Sequence, residues 1–159
     1  MHIIEDSRQQ AGKHDIKHQS FEAAGDSVLR CKLPFGDYAL PPRIAVDTKA
    51  DIQEIAQNIG GTAAEHNRFR EELKLAREYG CQLIILVENE DGIEELTQVQ
   101  YWDNPRRAFS ERAIQGPQLM KAMQTMQERY GVIFMFCRPA EAAGTIKELL
   151  RGGGEGDAG

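Results

Sequence analysis

Two short stretches carry the residue types that metal-assisted chemistry needs: Gly36-Asp37 and, after a brief connection, Val46-Asp47-Thr48-Lys49. Pro41-Pro42 between them cannot be helical and marks a turn. Two neighbouring strands joined there would set Asp37 beside Asp47. Side chains alternate along a strand, so Asp47 and Lys49, flanking Thr48, share one face and point toward Asp37. Two carboxylates and an ammonium converging on one spot suit a hard divalent cation next to a scissile phosphate. Mg²⁺, for which Mn²⁺ can substitute, takes oxygen ligands and keeps several waters, one of which can become the nucleophile. Asp37, Asp47 and the Thr48 carbonyl are the expected ligands. Lys49 would stabilise charge in the transition state or orient the water. An Asp-x-Lys tripeptide alone is common and mostly marks a solvated hairpin. The Gly-Asp upstream at hairpin distance is what makes it informative.

The elements that must position these residues follow from apolar patterning. Residues 2–6 read as a strand ending in acid, 27–33 as a second strand and 43–49 as a third, together an antiparallel meander. Residues 9–20 are polar and read as loop or a poor helix. Asp51 is a cap for a helix carrying Ile52, Ile55, Ala56 and Ile59 until Gly60-Gly61. A second helix starts at Thr62 and runs to Gly80, with Phe69, Leu73, Ala76 and Tyr79 on its apolar side. Residues 82–88 and 132–137 are continuous apolar runs, expected as strands buried on both faces. Between them, residues 89–116 form a long polar excursion expected to be pinned by Tyr101, Trp102 and Phe109, followed by a methionine-rich helix over 118–130. A last helix runs from Pro139 through Leu150. Strands first, then strand and helix in alternation, predict an α/β fold with a mixed central sheet flanked by helices.

At 159 residues the chain is expected to form a single domain over 1–151, with a disordered glycine-rich tail over 152–159. Cys31, Cys81 and Cys137 lie in or beside apolar runs and read as reduced thiols of a cytosolic protein. No Cys/His spacing suits structural zinc, and no run is long enough to span a membrane. The net charge of −6 argues against coating nucleic acid by bulk charge. It leaves room for a nucleic-acid enzyme whose metal-binding carboxylates weigh on the count.

With these motifs in order, the chain resembles the XPF/Mus-type structure-specific nuclease domain, a restriction-endonuclease-like branch of the PD-(D/E)XK superfamily, over most of its length. That family's first strand ends in Asp-x-Arg-Glu, where Asp6-Ser7-Arg8-Gln9 stands. Its Gly-Asp-Tyr matches Gly36-Asp37-Tyr38, and its Glu-Arg-Lys falls on Asp47-Thr48-Lys49. Its Arg-Phe helix matches Arg68-Phe69, and the next buried strand ends in Glu88. The departures are Asp47 for glutamate, Thr48 for arginine, Gln9 for glutamate, and Gln53 where an aspartate is expected, with Asp51 nearby. The resemblance implies a metal-dependent DNA endonuclease that hydrolyses phosphodiester bonds in branched or flapped DNA during repair or recombination. Asp6 would complete a catalytic set with Asp37, Asp47 and Lys49. Arg8 would touch a phosphate or brace Asp6.

The family also implies a homodimer. The nuclease pattern fills the chain, so a targeting protein or low selectivity is expected. The alternative is a non-catalytic DNA-binding or scaffolding subunit that retains the fold; keeping Asp37, Asp47 and Lys49 together argues against it. Arg70, Lys74 and Arg77 form one helical stripe that would follow a DNA backbone or simply face solvent, with Glu78 beside Lys74 and Glu72 beside Arg68. Lys13, His14, Lys17 and His18 carry the same ambiguity, tilted toward DNA. Met120, Met123 and Met126 are expected in the core or at a dimer face. The expected location is the cytoplasm, with the nucleoid or a phage-infected bacterial cell as fitting settings.

Overall fold

The computed structural model describes residues 2–10, 12–33, 36–40 and 44–152. Six strands form one sheet in the order β2-β1-β3-β4-β5-β6: β1 (His2–Asp6), β2 (Ser27–Cys31), β3 (Tyr38–Leu40), β4 (Ile44–Lys49), β5 (Gln82–Glu88) and β6 (Ile133–Cys137). β1 runs parallel to β2, and β4, β5 and β6 run parallel to one another. β3 is antiparallel to both of its neighbours, β1 and β4. The carboxyl ends of the parallel strands, at Asp6, Lys49, Glu88 and Cys137, therefore share one edge of the sheet. Ligands of open α/β sheets bind at such an edge.

Helices cover both faces. α2 (Ile52–Gly60), α3 (Ala63–Glu78) and α4 (Gly116–Tyr130) pack against Ala45, Leu83, Ile85, Val87 and Phe134. α1 (Asp15–Ala23) and α5 (Ala142–Gly152) cover the opposite face, over Ile3, Tyr38, Val46, Ile84 and Leu86. Period-two alternation explains this division, because Ala45 and Val46, or Ile84 and Ile85, must go to opposite sides. The strands of the centre are apolar on both faces for that reason.

The mixed α/β architecture is as expected, but the start of the chain is not a meander. Residues 15–23 are helical and make β1-α1-β2 a parallel crossover, while β3 enters between β1 and β4. α1 buries only Phe21 and leaves Ile16 81% exposed. Its apolar stripe is thus one residue wide, too thin to register as a helical period. β3 spans only Tyr38–Leu40, below the length at which alternation shows. The turn at Pro41-Pro42 and the tail beyond Gly152 lie outside the described residues, and Gly152 itself closes α5.

Two further expectations are corrected. β6 is an edge strand, with Ile133 41% and Met135 36% exposed, and not buried on both faces. In the excursion, Trp102 packs against the core but Tyr101 and Phe109 face solvent, at 81% and 92% exposure. The excursion is held instead by buried Ile93 and Val99, and by two buried asparagines. Asn89 exchanges hydrogen bonds with the Ile93 backbone, and the Asn104 amide donates to the Ile114 carbonyl at 2.8 Å. Gly116 closes it, since a Cβ there would stand 2.6 Å from the Trp102 carbonyl oxygen. Backbone amides and a missing side chain leave no apolar pattern in sequence. Met123 and Met126 are core residues and Met120 is partly buried, as expected.

Candidate active site at the strand ends

The site is built where the chain enters β3, between the ends of β1 and β4. Gly36 has φ +71°, the left-handed region that favours glycine, and a Cβ there would lie 3.2 Å from that of Ala45. Its N–H donates to Glu72 Oε1 at 2.8 Å, which anchors the turn to α3. Asp37 then threads between two strands: its N–H donates to the Val46 carbonyl at 2.8 Å, and its carbonyl accepts from Asp6 N–H at 2.7 Å. Backbone pairing on both sides leaves the Asp37 side chain with one direction to take, toward the end of β4.

There its carboxylate accepts two hydrogen bonds on Oδ2, from the Thr48 N–H at 2.6 Å and the Thr48 hydroxyl at 2.7 Å. The Gln9 side-chain amide donates to Oδ1. Asp47 and Lys49 project from alternate positions of β4, as strand geometry requires, and Lys49 Nζ lies 2.7 Å from Asp47 Oδ2. Lys49 also sits 5.5 Å from the centre of the Phe69 ring. Asp37, Asp47, Thr48 and Lys49 are all buried, each at 8% exposure or less.

Confinement of this much charge shifts the proton equilibria. Burial, and then the Asp47 charge beside it, push the Asp37 carboxyl up to about 8 against the pull of the Thr48 hydrogen bonds. The same two causes, in the same order, raise Glu72 to about 7. For Lys49, burial works against the ammonium, but Asp47, Glu72 and Asp37 together outweigh it and hold its pKa above the usual lysine value. Glu72 is thus a fourth ionisable member of the site. Sequence had assigned it to a surface pair with Arg68. Its position three residues beyond Phe69 on α3, facing the same way, was the signal that could have placed it.

The other expected residues fall in three groups. Asp6 lies at the same sheet edge, but its oxygens are taken up by Arg8 Nε, at 2.8 and 3.1 Å, and by the Leu33 N–H at 3.1 Å. Arg8 reaches on to the Leu33 carbonyl at 2.6 Å. The pair therefore braces the end of β1 against the segment that follows β2, and Arg8 bears on Glu72 electrostatically.

In the second group, Lys13 is exposed, but its neighbours turn inward, away from any surface strand of DNA. His14 is 4% exposed and places Nδ1 2.5 Å from the Tyr38 hydroxyl. Lys17 pairs with Glu88 at 2.9 Å and His18 with Glu5 at 2.8 Å. Burial, then the charge of Lys17, lower the His14 pKa to about 4, so the imidazole is neutral. The basic cluster is a polar layer under α1.

In the third group, Arg68 is exposed on the site side of α3. Arg70, Lys74 and Arg77 lie on the far side from Glu72, where Lys74 pairs with Glu71 at 3.0 Å, not Glu78, and Arg77 donates to the Arg129 carbonyl at 2.5 Å. Asp51 caps α2, accepting from Glu54 N–H at 2.7 Å.

A divalent cation fits the donors present. Among the described residues no three His, Cys, Asp or Glu side chains close into a cage, and Mg²⁺ does not require one, since it is held by one or two carboxylates and keeps its waters. Asp47 Oδ2 is buried, and no hydrogen bond of ordinary geometry reaches it beyond the ion pair. The N–H and C=O of one strand residue point to the same side, so the Thr48 carbonyl faces Asp37 as its N–H does.

The chain has the fold of XPF from Aeropyrum pernix, to which it is 23% identical with a TM-score of 0.66, over 98% of this chain and 66% of that one. A second structure, XPF from the same organism in complex with DNA, is 21% identical with a TM-score of 0.68, over 99% of this chain and 67% of that one. The chain thus spans about two thirds of the length of these structures. No family model and no curated protein matches the sequence. No helix among the described residues is long and apolar enough to cross a membrane.

Proposed function

We propose that the protein is a metal-dependent DNA endonuclease that hydrolyses phosphodiester bonds, with branched or flapped DNA as its substrate and repair or recombination as its setting. The observation that carries this reading is the set of buried Asp37 and Asp47 and partly buried Glu72 around a single Lys49. Three acids against one ammonium leave Asp37 protonated near neutrality, an arrangement that a divalent cation would resolve. The likeness in fold to XPF from Aeropyrum pernix in complex with DNA supports DNA as the partner.

In this reading Asp37, Asp47 and the Thr48 carbonyl hold Mg²⁺ or Mn²⁺. A bound divalent cation supplies an acidified water and takes up charge on the phosphate oxygens. Thr48 fixes the Asp37 carboxylate in place through two hydrogen bonds. Lys49, kept charged by its acidic neighbours, offers an ammonium to the phosphoryl oxygens as negative charge builds on them. Asp6 acts as a positioning residue: it fixes the end of β1, whose backbone N–H holds the Asp37 carbonyl. Arg8 and Arg68, exposed on the site side, are the residues placed to meet flanking phosphates. A homodimer and a separate targeting protein belong to the same proposal. Metal-dependent cleavage of labelled DNA, and its loss in Asp47→Ala, tests it.

A further inference from the structure

Two adjoining cavities lie in the helical layer, on the side of α3 away from Glu72. The first, of about 590 Å³, opens between α2 and residues 104–114 and is lined by Gln53, Gln57, Arg106, Phe109 and Arg112 among others. The second, of about 350 Å³, lies over α2, α3 and α4 and is lined by His66, Arg70, Thr125, Arg129 and Tyr130 among others. Ile114 forms part of both walls, so the two are neighbours across one side chain.

Their chemistry is one-sided. The lining carries four guanidinium groups and an imidazole and no carboxylate, in a chain whose net charge is −6. Asp51, Glu54 and Glu65 line the neighbouring hollow that shares Gln53, Gln57, Arg106 and Phe109, so the acid-free end is the one at Arg70, Arg129 and Arg112, and that end suits an anion. Two buried polar atoms there lack a partner: Arg70 Nε, a donor, and Gln53 Oε1, an acceptor. The guanidinium groups of Arg70 and Arg129 also hold the Tyr130 phenol below the usual tyrosine pKa. Finally, Phe109 stands at the rim with its ring 92% exposed, although the segment around it is tightly tied. Arg107 donates to the Glu111 carbonyl at 2.6 Å, and Phe109 N–H to the Arg106 carbonyl at 3.0 Å. A large apolar ring carried into water on a tied backbone beside arginines offers a stacking face.

We infer that this groove binds an unpaired nucleic-acid strand, with Arg70, Arg129 and Arg112 on successive phosphates, a base stacked on Phe109, and the Gln53 amide at a base edge. Phosphate needs the guanidinium forks. An aromatic face engages a base only where that base is free of its duplex stack, which selects an unpaired strand over a duplex. Gln53 lies in the first turn of α2, which begins just after Lys49, so α2 connects the groove to the strand that carries Asp47 and Lys49. The inference rests on the nuclease reading only in taking the strand to be DNA.

The test is equilibrium binding of labelled oligodeoxythymidylate by anisotropy, in EDTA so that nothing is cut, across a salt series. Wild type binds the single strand more tightly than a duplex of equal length. Arg70→Gln with Arg129→Gln weakens binding by about tenfold or more and reduces the slope of log affinity against log salt by about 1.4, as two lost phosphate contacts on a single strand require. Phe109→Ala, at a position too exposed to affect folding, weakens binding at least about fivefold. Absence of binding by wild type, unchanged affinity and slope in these variants, or equal binding of duplex would overturn the inference. Cleavage is read separately. A protein that binds through this groove yet cuts nothing retains this site and loses the nuclease, whereas one that cuts while the variants bind normally loses this site alone.

Discussion

The Asp37 carboxylate is fastened to Thr48 by two hydrogen bonds to one oxygen, at 2.6 and 2.7 Å, so the first acid of the site is locked to the strand that carries the second. Loss of the hydroxyl alone should matter. Thr48→Val keeps the shape and the backbone donor but leaves a buried carboxylate oxygen short of a bond, at a cost of about 1–3 kcal/mol in folding stability. Thr48→Ser should restore most of that in a denaturation experiment. Equal stability of wild type and Thr48→Val would show that the hydroxyl bond contributes nothing.

The metal-free protein should lose stability as pH rises from about 6.5 to about 8. A carboxyl whose folded pKa lies above its unfolded value keeps its proton in the native state after the unfolded chain has released it. Its contribution is complete below about 4 and is lost as pH climbs through the folded value, about 8 for Asp37 and about 7 for Glu72. His14, lowered to about 4, acts in the opposite sense but only below about 6.5, and is silent in this window. Thermal melts in EDTA should therefore fall with pH, and Asp37→Asn should flatten the curve. A flat wild-type profile would contradict the burial of uncompensated acid.

Glu72→Gln should raise the metal-free melting temperature at pH 8, because it removes one of the mutually repelling charges while an amide oxygen can still accept from Gly36 N–H. The same change should weaken Mg²⁺ binding in calorimetry. Glu72→Ala should instead destabilise, since the Gly36 donor loses its acceptor. If Glu72→Gln left both melting temperature and metal binding unchanged, Glu72 would be no part of the site.

Asp6→Ala should act mainly on folding. It leaves the buried Leu33 N–H without its acceptor, at a cost of about 1–3 kcal/mol, while the half-exposed Arg8 guanidinium turns to water and adds little. Any folded fraction should bind Mg²⁺ with nearly wild-type affinity. A normal melting curve with abolished metal binding would make Asp6 a ligand instead of a brace.

The pair Asp37 and Asp47 with Lys49 was legible in sequence because strand alternation and a short return dictate their convergence. The helices α2 to α5 and strands β4 to β6 were legible because their apolar residues recur at a clear period. α1 was not, since Phe21 is its one buried residue, and β3 is too short to alternate. Glu72 was hidden because its partners are backbone and charge from distant segments. The inward turn of Lys17 and His18 was hidden likewise, since Glu88 and Glu5 reach them only through the parallel crossover.

The central claim is tested most directly by incubating labelled duplex, flap, fork and four-way-junction DNA with the protein in Mg²⁺ or Mn²⁺, alongside EDTA and Asp47→Ala controls. The account predicts cutting that requires the metal, is abolished by Asp47→Ala, and is strongest on the branched substrates. Folded wild-type protein that binds these DNAs and cuts none of them with either metal would contradict it, and would leave a DNA-binding subunit with a nuclease fold.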